Sequence, residues 1–175
     1  MKKFIVLFFI ATVLWVACSD DKNMGTGVLS VSLTDAPGAY DAVLIDLQGL
    51  RINAAADSTD EGGWQELALD TMGQIDLLMF TGGNSILLTE EELPAGRINQ
   101  MRMILGENNQ IVVDGDTLSL ETPSAQQSGL KFNIHADIEE GETYSLTIDF
   151  DAEKSVVNKG NGSYSLKPVI TVITE

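Results

Sequence analysis

Alternation of apolar and polar residues over eight or nine positions is the feature that most narrows what this chain can fold into. In LKFNIHADI, Leu130, Phe132, Ile134, Ala136 and Ile138 share one side, while Lys131, Asn133, His135 and Asp137 share the other. TYSLTIDFD repeats the pattern, with Tyr144, Leu146, Ile148 and Phe150 opposing Thr143, Ser145, Thr147, Asp149 and Asp151. Successive side chains of an extended strand point to opposite faces, so each segment predicts a strand with one buried and one wet face. VLSVSL, AVLIDLQGLRI, RINQMRMIL, QIVV, TLSL and YSLKPVITVI read alike, with Gly, Asp, Asn and Pro punctuation between them.

Local signals refine this picture. QIVVDGDTLSL predicts a β-hairpin turning around Asp114, Gly115 and Asp116, because glycine tolerates the positive φ of tight hairpin turns. Pro168 removes a ladder donor and marks the last strand as an edge or a bulge. TEEELPAG predicts one helical turn, capped by Thr89 with Glu92 three residues on and ended by Pro94 and Gly96. No long helix-period stretch interrupts the strands. The expected fold is all-β: a single-domain, two-layer antiparallel β-sandwich over residues 26–175, with AADSTDEGG and TPSAQQSG as polar loops.

The segment before the domain reads as an address. MKK is a short positive start, FIVLFFIATVLWV an unbroken apolar run, and Ala17 the small residue that a signal peptidase needs at its cut, so residues 1–17 predict an export signal. The run falls short of the roughly twenty residues that span a bilayer, and no later segment approaches that length. Cys18, the chain's one cysteine, follows at once. Val16, Ala17 and Cys18 resemble the lipobox of bacterial lipoproteins, although Trp15 stands where leucine is usual. Acyl chains such as palmitate on Cys18 would then hold the protein to a membrane. Residues 18–25 form an acidic tether in which Asp20 and Asp21 resemble an export tag that sends lipoproteins of one Gram-negative phylum to the cell surface. The expected location is the outer membrane, facing outward.

Removal of residues 1–17 leaves 8 Lys+Arg against 26 Asp+Glu, a formal charge of −18. Such a chain repels phosphate backbones, which argues against a nucleic-acid partner. With Cys18 acylated, no cysteine remains for a disulfide, and stability must come from an apolar core that a domain of this length can supply.

VSLTDAPGAYDAVLIDLQGLRI, the tryptophan of GGWQEL, IDLLMF, ELPAGRINQMRMIL, LKFNIHADIEEG, LTIDFDAEKSVV and GSYSLKPVI occur in that order. Together they resemble the bacterial and archaeal lipoprotein family known as domain of unknown function 4382. The resemblance implies a β-sandwich envelope domain and brings no catalytic residues with it.

Chemistry-bearing residues are few. Asp149 and Asp151 fall on one strand face about 7 Å apart, a spacing that suits two-carboxylate glycoside chemistry and equally a solvated face, with Asp149 pairing to Lys154 or Arg97. His135 is the one histidine and projects from a polar face. Calcium has oxygen ligands on offer at Asp35 and Asp41 of TDAPGAYD and at Asp114 and Asp116, although neither turn matches an EF-hand. In TDAPG the structural alternative is that Thr34 or Asp35 bonds backbone donors, Pro37 fixes φ and Gly38 permits the reversal.

Trp64, Tyr40 and Tyr164 stand near strand ends, where rings stack on sugars or anchor a sheet. Ser58, Thr71 and Thr117 lie in Asp-Ser/Thr triplets that resemble O-glycan acceptor sites of the same phylum. The expected function is a non-catalytic module that binds a glycan or an envelope protein. The alternative is an accessory subunit of an outer-membrane complex, and a polysaccharide-active enzyme is a more remote one.

Overall fold

The computed structural model describes residues 25–54, 63–123 and 128–174. The expected export signal, Cys18, Asp20, Asp21 and Ser58 lie outside the described residues. Two sheets face each other. The smaller has four strands in the order β13 (Ile170–Thr174), β10 (Thr143–Phe150), β1 (Thr26–Thr34) and β5 (Ile86–Pro94). The larger runs β11 (Val156–Asn158), β12 (Tyr164–Leu166), β8 (Asp116–Glu121), β7 (Gln110–Val113), β2 (Ala42–Asn53), β6 (Gly96–Leu105) and β9 (Leu130–Ile138). β3 (Gln65–Leu67) and β4 (Gly73–Asp76) also pair with β2. Alternation does what the sequence predicts: Leu29, Val31 and Leu33 of β1 meet Leu146, Ile148 and Phe150 of β10 in the core, all 0–1% exposed. Each buried aliphatic or aromatic side chain of this size contributes about 1.5–3 kcal/mol relative to exposure.

Three expectations change. The sandwich is mixed rather than antiparallel, because β1 runs parallel to β10 and β8 parallel to β12. TEEELPAG is no helical turn but the body of β5, drawn into an antiparallel ladder along β1. Thr89 is fully buried and its hydroxyl donates to Ala68 O, while the Glu91 carboxylate accepts from Ala68 N. Tertiary pairing with an open strand edge outweighs a capping signal that would satisfy only one turn. Finally, YSLKPVITVI is two strands in two different sheets. The chain crosses between them at Lys167–Val169, where Lys167 N donates to Ser155 O and Val169 N to Ser155 Oγ. Pro168 sits at this crossing, where no ladder needs its missing donor.

The β7–β8 hairpin is as expected. Val113 pairs with Asp116 across a two-residue turn in which Asp114 (φ 53°) and Gly115 (φ 83°) are both left-handed, the conformation whose twist suits two-residue hairpins. Gly27 serves differently: a Cβ there would stand 2.2 Å from Glu139 O, so only glycine lets β1 pass the β9–β10 turn.

β1 and β10 run the same way, which defines two poles. Gly25, Pro94–Gly96 and the β9–β10 turn meet at one, where Gly25 O accepts from Ala95 N and Thr26 O from Gly141 N. Thr34, the loop after it and the helical turn Ala152–Ser155 form the other. Gly25, the first described residue, lies at the first pole.

Candidate functional site

At the far pole the TDAPG loop docks on the helical turn. Asp35 is 4% exposed, and its Oδ1 accepts from Ala152 N at 2.8 Å. Its Oδ2 is buried without a hydrogen-bond partner. Burial, aggravated by Asp149 and Asp151 nearby and only partly offset by the Ala152 and Ala36 amides, raises its pKa to about 6. Asp151 caps the helical turn: Oδ1 accepts from Lys154 N at 3.0 Å and Oδ2 from Lys154 Nζ, which holds its carboxyl below the usual range. The Thr34 hydroxyl lies 2.8 Å from the carbonyl oxygens of both Phe80 and Asn84, either of which can accept its one proton, rather than capping its own turn. Gly38 adopts no left-handed φ. Its small size counts instead, since a Cβ would stand 3.3 Å from Leu78 Cδ2.

The expected calcium ligands Asp35 and Asp41 take different backbone partners. Asp41 Oδ2 accepts from Gly115 N at 2.9 Å, tying the loop to the β7–β8 hairpin, whereas Asp35 faces Ala152. Among the described residues no three His, Cys, Asp or Glu side chains converge as a metal-binding group. Asp149 and Asp151 do not form an isolated carboxylate pair, because Asp151 belongs to Lys154. Arg97 bridges to Asp137 at 3.7 Å instead of Asp149. His135 is exposed at a bulge in β9 (φ 50°), with Nδ1 3.4 Å from Asn99 Oδ1.

Nor do the three rings assemble into one platform. Arg102 lies over Trp64, 4.3 Å from the ring centroid, and Trp64 Nε1 is buried. Tyr164 is 9% exposed in β12, its hydroxyl accepting from Asn158 Nδ2 at 3.3 Å. Tyr40 is half-buried close by, and burial, with Tyr164 and Glu153 near it, raises its phenol pKa. Of the glycan-acceptor candidates, Thr117 is exposed on β8, while Thr71 donates its hydroxyl to Leu87 O at 2.8 Å.

A surface that the sequence left unremarked adjoins this pole. On the outer face of the small sheet, register sets Ser30 beside Ser145, Ser32 beside Thr147 and Thr34 beside Asp149. The middle row continues outward to Ile173 on β13 and Leu87 on β5. The result is a grid of half-exposed small hydroxyls, with aliphatic side chains at both ends of one row, Glu90 of β5 beside Ser30 and Asp149 at a corner. The alternation predicted that these residues face outward. Which of them stand side by side depends on a parallel pairing between segments more than a hundred residues apart, for which a single sequence has no local signal.

The family model described as a domain of unknown function (DUF4382) matches residues 26–168. The chain belongs to this family. The matched residues begin with the first strand of the small sheet and take in the TDAPG loop, the helical turn and the grid of β1 and β10. No curated protein and no solved structure matches the chain significantly.

Proposed function

We infer that this protein is a lipid-anchored, non-catalytic binding module of the Gram-negative outer membrane, displayed at the cell surface. Its recognition surface is the outer face of the small sheet. The observation that carries the binding reading is the Leu87–Ser32–Thr147–Ile173 row, uncharged and free of long side chains in a strongly acidic chain. Grids of small hydroxyls offer donors and acceptors at strand spacing, and aliphatic ends add apolar area. Leu87 and Ile173 are 39% and 46% exposed, and the exposed Met72 neighbours the Thr71–Leu87 contact. This combination favours a protein partner over a glycan, since the rings that would stack on sugars are engaged elsewhere. An outer-membrane complex that takes the module as a subunit would use the same face.

The anchor fits the geometry. Six residues separate Cys18 from Gly25, and the seven steps between them reach at most roughly 25 Å when extended. That reach keeps the near pole at the membrane and turns the TDAPG pole away from it. A lysine pair tests the surface. Ser32→Lys with Thr147→Lys is expected to abolish recovery of the partner from the envelope fraction while the melting temperature stays close to that of the parent. Undiminished recovery would contradict the reading.

A further inference from the structure

Six strands have a single partner, four at the ends of the two sheets and β3 and β4 beside β2, and five of them carry devices that stop a neighbour from pairing; β3 has only three residues, Glu66 among them, and β4 only four, ending in Asp76. β5 presents Glu90, Glu91 and Glu92 and ends in Pro94. β9 carries Lys131, His135 and Asp137 and is kinked by the left-handed bulge at His135. β11 is only three residues long. Charge, proline, bulges and shortness are the ordinary defences of an open edge. β13 has none of them along its length. Ile170, Thr171, Val172, Ile173 and Thr174 are all strong strand formers, uncharged, with Thr171 and Ile173 exposed on the outer face. A cleft of ≈340 Å³ also opens beside this strand, between Leu130–Phe132 of β9 and Pro168 and Ile170.

We propose that β13 pairs antiparallel with β13 of a second copy of this chain, joining two four-stranded sheets into one across a two-fold axis. The segment is self-complementary. Run against itself about Val172, it sets Thr171 opposite Ile173 of the second copy and Ile170 opposite Thr174, an isologous contact with no charge in it. A second copy is the occupant that the charge distribution selects. Without residues 1–17 each chain has a formal charge of −18, so two copies repel over most of their surface, and pairing through β5 would set glutamates against glutamates. Within β13, as within the much shorter β11, a copy meets no like charge, and β13 is the longer of the two; more distant acids are screened beyond about 8 Å at physiological ionic strength. Pairing also covers Ile173 and places the two hydroxyl grids side by side on one continuous face. The contact does not depend on what that face binds.

Sedimentation velocity of the whole chain from Ser19 onward tests this, over concentrations up to about 100 µM, where micromolar self-association is visible. The parent is expected to shift from monomer to dimer by mass action. Thr171→Lys and Ile173→Lys each set like charges across the axis and are expected to weaken the dimer at least about tenfold. Both sites are exposed, so the melting temperature of the dilute monomer should stay put and show that the variants fold. Leu87→Lys, at the opposite edge of the same sheet, should leave the dimer intact. A parent that stays monomeric throughout, its edge then left to some foreign strand, overturns the proposal. So does a dimer that persists undiminished in both β13 variants.

Discussion

Replacing Cys18 with alanine is expected to move the protein from the membrane fraction to the soluble one and to abolish labelling by a clickable palmitate analogue. The effect should be close to all-or-none. Each buried methylene contributes about 0.8 kcal/mol to membrane attachment, and a single acyl chain already holds only marginally, so stable attachment rests on the two or three chains that a modified cysteine carries. The two strands flanking the hydroxyl grid expose single aliphatic side chains, and among the described residues no helix is long and apolar enough to cross a membrane. Detergent-phase partitioning that survives the replacement would remove the anchor from the account.

Acidification from pH 7 to about pH 4.5 is expected to stabilise the domain through Asp35, a direction opposite to that of most acidic proteins' ion pairs. The carboxyl titrates near 6 in the fold and near its ordinary 3.8 when unfolded. Above pH 6 it is ionised in both states, and its burial opposes folding. As the pH falls below 6 the folded state takes up the proton first, so stability rises until about 3.8, below which both states are protonated. A displacement of that size corresponds to at most about 3 kcal/mol. Asp151 acts in a separate window: held low by Lys154, it contributes stability above its unfolded pKa that is lost only as the pH falls below that value. Asp35→Asn keeps an acceptor for Ala152 N, and it should raise the melting temperature at pH 7 while cancelling the gain on acidification. Relaxed repulsion among the other carboxylates affects parent and variant alike, so the difference between them isolates Asp35. Equal pH profiles for the two would show that Asp35 is not the group responsible.

How much of this was legible in the sequence follows from the range of each interaction. Period-two patterning located β9 and β10 because their burial is decided residue by residue, and the Asp114–Gly115 hairpin followed from turn chemistry alone. β5 was misread because TEEELPAG carries a valid capping pattern, and only the open edge of β1, more than fifty residues earlier, overrides it. YSLKPVITVI looked like one strand because nothing local shows that Tyr164 pairs with Leu120 and Ile170 with Phe150, in different sheets. The candidate site divides the same way. Asp35 was singled out as an oxygen ligand in a turn, yet its carboxylate accepts from Ala152 N, which lies 117 residues away. The hydroxyl grid was half visible: Ser30, Ser32, Ser145 and Thr147 were on wet faces, but their adjacency depends on strand order. Trp64 could be read from sequence as a sugar platform or an anchor, and the guanidinium of Arg102 over its ring now favours the anchor.

The central claim is that the outer face of the small sheet is where this protein meets its partner. A photo-reactive side chain placed at Thr147, with the same probe at the exposed Ser119 of the large sheet as reference, tests it most directly in intact cells that make the protein. The account predicts one discrete adduct from Thr147 and none of that kind from Ser119. No adduct from Thr147, or the same adducts from both positions, would contradict it.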